Sequence, residues 1–237
     1  MMSYVFLLFS SLLAVSCALN LPSYVQPCKK TDPDFVKCAL KHGNDAIARI
    51  TEGDPAYGIP VIDPLKDEEI QHYTYPKLNV TISEIVLYGL KHAKLVSFTK
   101  EDTSLSVVVF AKHLKVACKH SLSGQLLEHH LYGSGLTEIE FYNVSIPIHV
   151  TAKQSDRKTY LSIENVEAQV LPEKATFKTL HFDGDQDILK LAEKSANENW
   201  KGVMIVLSPI LDKLLTSAAR KTAYAFVNNV PEHLIFQ

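Results

Sequence analysis

Signatures of catalysis are missing from this chain. It has no Gly-x-Ser-x-Gly elbow, no His-Glu-x-x-His, no P-loop and no dinucleotide fingerprint, so hydrolysis, zinc proteolysis and nucleotide chemistry lack their usual frames. An excess of one charge is missing too. With 24 basic and 26 acidic side chains the net charge is −2, and charge alone would draw neither nucleic acid nor an anionic membrane. After the first residues no run reaches 18 apolar residues, which predicts a soluble mature chain without stable membrane insertion. Metal-binding patterns fall short as well. Asp183-Gly184-Asp185-Gln186-Asp187 opens like a calcium loop, but Ile188 stands where glycine is required and Lys194 where a bidentate glutamate is required. On a strand, the adjacent rings of His129 and His130 would point to opposite faces, which rules out a shared ion. We therefore expect no metal and no cofactor.

What is present begins with a leader. Residues 5–15, VFLLFSSLLAV, form an apolar run too short to span a bilayer, followed by small residues at Ser16-Cys17-Ala18. Residues 1–18 are read as a secretory signal peptide and residues 19–237 as one domain. Cys17 leaves with the leader, so Cys28, Cys38 and Cys118 remain. In an oxidising compartment the simplest pairing is Cys28 with Cys38. Zinc is the competing reading of these two. Two sequons, Asn79-Val80-Thr81 and Asn143-Val144-Ser145, fit secretion and are candidate glycosylation sites.

The periodicity then sorts the chain into three textures. Asp32-Pro33 is a helix-start signal, and Phe35, Val36, Ala39, Leu40, Ile47 and Ile50 recur at helical spacing, predicting a helix over about 33–51. Residues 53–65, GDPAYGIPVIDPL, hold too much proline and glycine for a helix or a central strand. From about 73 to 183 the pattern is that of long strands. The even positions of 106–122 read as one inward face carrying Val108, Leu114, Val116 and Cys118, with Cys118 as a buried free thiol. The apolar set changes phase after Phe141 and again after Ile163, which implies bulges and a bent sheet. Ser123-Gly124 and Gly133-Ser134-Gly135 read as hairpin turns. Residues 187–229 read as helix, apolar on more than one face over 203–215 and therefore buried, with Pro209 expected to kink or break it.

Several segments, in this order, resemble the insect takeout and juvenile-hormone-binding-protein family. They are KKTDPDFVKC between the first two mature cysteines, YGIPVIDPL at 57–65, VLYGLKHAKL at 86–95, SLSGQLLEHHLYGSG at 121–135, NENW at 197–200 and VPEHLIF at 230–236. The resemblance implies an α+β fold, with a short N-terminal helix and a long C-terminal helix wrapped by a strongly curved antiparallel sheet in the TULIP-like super-roll manner. An elongated apolar tunnel would lie between helix and sheet. It also implies a single N-terminal disulfide, as in takeout-like members.

The expected function is a secreted, monomeric carrier of a small lipophilic molecule, terpenoid or fatty-acyl. No catalytic residue is needed for that task, only a dry cavity. The expected lining is Val108, Leu114 and Val116 from the sheet with Val203, Leu207, Leu211 and Leu214 from the helix. Two readings compete. One is a lipid esterase, for which Cys118 with His120 is the only nearby nucleophile–base pair. The other is a secreted interaction protein whose cavity is filled by its own side chains.

Overall fold

The computed structural model describes residues 20–75, 77–126, 129–155, 160–235 and 237. The expected leader lies outside them. The first helix, α1, runs Phe35–Glu52 and ends at Gly53, whose N–H bonds the Ile50 carbonyl. It starts two residues later than the Asp32-Pro33 signal predicts. Asp32 accepts from the Asp34 N–H through its side chain and from the Phe35 N–H through its carbonyl. These bonds make a turn that feeds the helix. Cys28 and Cys38 form a disulfide with Cα atoms 6.0 Å apart. It ties the extended N-terminal segment to the first turn of α1. A loop this short stabilises by about 3 kcal/mol through the entropy it removes from the unfolded chain.

Eight strands follow: β1 Leu65–Asp67, β2 Gln71–Tyr75, β3 Leu78–Tyr88, β4 Lys94–Lys100, β5 Ser104–Leu126, β6 His129–Gln154, β7 Leu161–Ala168 and β8 Leu171–Phe182. All pairings are antiparallel, in the order β1-β3-β5-β6-β7, with β2 also on β3, β4 also on β5 and β8 also on β6. β5 and β6 are 23 and 26 residues long. Strands of that length accumulate twist, and the sheet curls into a half-barrel. The bends have local causes. Asn143, at the phase change of β6, has φ +50°, as does Glu84 in β3, where the register with β5 shifts. On the other side of β6 the register with β7 shifts between Thr151 and Ala152, opposite the phase change after Ile163.

Two expectations about turns are corrected. Gly124 lies within β5, and Gly133 and Gly135 lie within β6. They are required where backbones converge. A Cβ on Gly124 would stand 2.2 Å from the Lys77 carbonyl oxygen, and one on Gly135 would stand 2.2 Å from that of His181.

The C-terminal helical region is α2, Gln186–Glu198, then α3, Trp200–Asn229, then a short α4, Glu232–Ile235. The break falls at Asn199 rather than at Pro209, and α3 continues through the proline. Pro209 removes the bond to the Ile205 carbonyl. Both residues face outward and Ile205 is 77 % exposed, so water can replace the missing donor. Among the described residues α3 is the one helix long and apolar enough to cross a bilayer. Here its Met204, Leu207, Ile210, Leu211, Leu214, Leu215 and Ala218 pack into the main core with Leu114, Val116, Phe141, Val144 and Ile146 of the sheet.

Helices and sheet are also joined by a zipper of polar side chains. β7 and β8 lie end to end along β6, and their outer edge would otherwise be unpaired. Asp212 accepts from the Val170 N–H at 2.7 Å, and Thr216 accepts from the Ala168 N–H at 2.9 Å. Arg220 donates to the Val166 carbonyl at 3.4 Å and Tyr224 to the Ile163 carbonyl at 3.3 Å. On α2, Glu193 accepts from the Thr179 N–H, and Asn197 exchanges both bonds with the Phe177 backbone. Four helical residues advance ~6.0 Å and two strand residues ~6.7 Å, so a helix stripe at i, i+4 keeps step with alternate edge residues.

Candidate functional site

The small side chains of α3 decide where space is left. Its first half is filled by Met204, Leu207, Ile210, Leu211 and Leu214, and the residual crevice there, beside Val116 and Cys118, holds only about 10 Å³. In its second half Ala218, Ala219, Thr222 and Ala223 face the sheet. There a cavity of about 360 Å³ opens, lined further by Ile47, Ile50 and Thr51 of α1, by Ile62 and Leu90, and by Leu105, Val107, Val109, Ile146, Ile148 and Val150 of β5 and β6. A second cavity of about 220 Å³ shares Leu105, Val150 and Ala223 with the first and continues to Leu161, Ile163, Phe226, Val227 and Ile235. Its rim carries Lys100, Asp102, Thr103 and Ser104.

Among the described residues, the lining of the larger cavity holds no ionisable group. The side-chain polar atoms of the described lining are two hydroxyls. Thr51 donates to the Ala48 carbonyl at 2.8 Å, and Thr222 donates to the Ala218 carbonyl at 3.0 Å. Each donor is therefore used, and each oxygen keeps lone pairs that can accept.

The expected lining residues fall elsewhere. Leu114 and Val116 are 1 % and 2 % exposed and belong to the packed core. Val203 packs against that core half-buried, and Leu207 and Leu211 border the 10 Å³ crevice. Leu214 contributes to a separate outer groove. Val108 lines neither cavity; its neighbours Val107 and Val109 do. The inward face of β5 switches from odd to even residues between Ala111 and Leu114, both fully buried. Because Val107, Val108, Val109 and Phe110 are all apolar, alternation could not reveal that switch. The run of small residues in TSAARKTAYA, opposite β-branched strands, was the available signal for the cavity.

Outside this region, the chemistry-bearing residues have structural partners. Burial pushes the Cys118 thiol up to about 11, and burial lowers the imidazolium tendency of His120, with Asp183 opposing weakly. His120 Nδ1 lies 3.1 Å from the Thr137 hydroxyl. A neutral thiol beside a committed imidazole is not an activated nucleophile. Asp183 accepts from the Ser134 backbone N–H and hydroxyl, which holds its carboxyl below the usual range. Asp185 caps α2 by accepting from the Asp187 and Ile188 N–H groups. Those bonds use the carboxylates of Asp183 and Asp185, and that of Asp187 accepts from Lys190 at 3.1 Å. One His/Cys cluster with metal-like geometry occurs among the described residues, at Cys28, Cys38 and His42. His42 Nδ1 lies 3.4 and 3.5 Å from the two sulfurs, which are bonded to each other. Both sequon asparagines are exposed, and Asn143 donates to Glu173 at 2.7 Å.

Comparison with known proteins places this architecture. The chain is 22 % identical over 239 residues to the circadian clock-controlled protein daywake of Drosophila yakuba, spanning 94 % of this chain and 91 % of that protein. The crystal structure of Epiphyas postvittana Takeout 1 superposes with a TM-score of 0.76 at 19 % identity, covering 90 % of this chain and all of that one. Residues 5–237 match the family model described as haemolymph juvenile hormone binding protein (JHBP). A curled sheet closed by one long helix, an apolar cavity beside that helix and this end-to-end match together show that the chain belongs to the JHBP family.

Proposed function

We propose that the protein is a secreted, monomeric carrier of a small lipophilic molecule. The observation that carries this reading is the larger cavity, about 360 Å³ with an apolar, uncharged lining between α3 and the sheet. A guest that buried ~400 Å² of hydrocarbon there would gain on the order of 10 kcal/mol before the costs of binding. The two threonine oxygens admit a hydrogen-bond donor on the guest but offer no counter-charge, so the enclosed part of the ligand is neutral. The smaller cavity extends the volume past Ala223, which suits an extended chain more than a compact ring system. Membership in a family described as binding juvenile hormone in haemolymph supports both the lipophilic ligand and the extracellular setting. The Cys28–Cys38 disulfide agrees with an oxidising compartment.

The test is to purify the secreted protein, extract it with organic solvent and analyse the extract by mass spectrometry. A co-purifying lipid, displaceable by the fluorescent apolar probe N-phenyl-1-naphthylamine, is expected. An extract identical to that of a blank, together with no probe uptake, would remove the carrier reading.

A further inference from the structure

The two flanks of α3 are held very differently. Toward β7 and its continuation, the helix is fastened by Asp212, Thr216, Arg220 and Tyr224 to four edge residues. Toward β1, the exposed Lys213–Glu69 ion pair at 2.7 Å joins the helix to the β1–β2 segment through side chains instead of edge backbone groups. Along that second seam lies a groove of about 530 Å³, bounded by Pro60, Val61 and Pro64, by β1, and by Lys213, Leu214, Ser217, Ala218 and Lys221 of α3. Only a thin wall parts it from the cavity. Ala218 faces both spaces, and Ile62, which lines the cavity, directly follows groove residue Val61.

The charge of the groove is uneven. Glu69 is held by Lys213, and Asp67 accepts the Glu69 N–H at 2.9 Å. Lys66 and Lys221 also face the groove and have no ion-pair partner among the described residues. The rim of the smaller cavity differs. There the Lys100 ammonium is taken up by the carbonyls of Glu101 and Asp102.

We infer that the α3–β1 groove is the head-group site of an acidic amphiphile, whose hydrocarbon tail passes beside Ala218 into the apolar cavity while its carboxylate stays outside with Lys66 and Lys221. The inference rests on the carrier reading and adds the chemical class of the ligand. It follows from the separation of functions along the path: a cavity that accepts no charge, a wall one residue thick, and two ammonium groups beyond it.

The experiment is displacement of N-phenyl-1-naphthylamine by dodecanoic acid and, separately, by its methyl ester at neutral pH. The acid is expected to bind more tightly than the ester. Lys66→Met with Lys221→Met should weaken the acid by about three- to tenfold, the scale of two solvent-exposed charge contacts, and leave the ester unchanged. Raising the salt should erode the preference in the native protein but not in the double variant. Ser217→Trp, which fills the groove without touching the cavity lining, should impair the acid more than the ester. Equal binding of acid and ester by the native protein overturns the inference. So does a preference that survives the double change but is lost in Lys100→Met, because the head would then sit at the other rim. Failure of both compounds and of the probe to bind overturns the carrier reading itself, and the head-group site with it.

Discussion

Asp212 shows how one carboxylate can be structural without being an ion pair. It is half-buried, and loss of hydration raises its carboxyl above the ordinary aspartate value, with the bond from the Val170 N–H pulling the other way. A raised acid binds its proton more firmly in the folded state. Its contribution to stability is therefore complete below the ordinary aspartate range near 3.8 and is lost as pH rises through the folded value. The useful part of the residue is its oxygen, not its charge. Asp212→Asn keeps an acceptor for Val170 and removes the desolvation penalty, so stability at pH 7 should hold or rise slightly. Asp212→Ala leaves a buried N–H unpaired and should cost about 1–3 kcal/mol. Urea unfolding of the two variants separates these outcomes, and equal losses in both would show that the charge itself is needed. Neither role was legible in the sequence. Asp212 stands in an apolar run, and alternation or helical period says nothing about which backbone group a lone carboxylate will meet.

At the scale of elements, the zipper explains why α3 is not apolar all round. Sequence periodicity marks the helix as greasy on several faces and therefore central. It does not explain the polar residues at 212, 216, 220 and 224. Those positions cap the edge of β7 and its continuation to Val170, which would otherwise expose a row of unpaired backbone groups. Thr216 both accepts from and donates to Ala168, at 2.9 and 3.4 Å. Thr216→Val keeps the shape and deletes both bonds, and should lower stability by about 1–3 kcal/mol. Amide exchange should accelerate at Ala168, which is the direct check on the element. A loss of stability without faster exchange there would place the effect elsewhere. The phase changes in β6 and β7 were readable because polar residues flank their apolar sets. The switch in β5 was not, because four apolar residues in a row satisfy either phase.

For the whole molecule, the division of α3 into a filled half and a hollow half sets what the protein can hold. Leu and Ile side chains close the space near Cys118, and alanines leave it open near Ala219 and Ala223. Ala219→Phe should fill the larger cavity from the helix side. Some overpacking cost, about 1–3 kcal/mol, is expected. The informative readout is thermal unfolding with and without N-phenyl-1-naphthylamine. A ligand at a hundred times its Kd stabilises a native carrier by about 2.7 kcal/mol, and the variant should lose that increment while keeping its circular dichroism. If the increment persists in Ala219→Phe, the guest does not occupy this cavity.

Local rules within the sequence settled a good deal. The α+β composition, the first helix, the long bent strands and the greasy C-terminal helix follow from periodicity and turn chemistry, which act between neighbours in the chain, while short cysteine spacing favoured the pairing of Cys28 with Cys38 over zinc without deciding it. Tertiary structure alone decided where the cavity lies, which apolar residues are lining and which are plain core, and what the polar stripe of α3 is for. A cavity is volume left over after distant segments pack. Its position depends on side-chain sizes from α1, β5, β6 and α3 taken together, and no single stretch of sequence carries that sum.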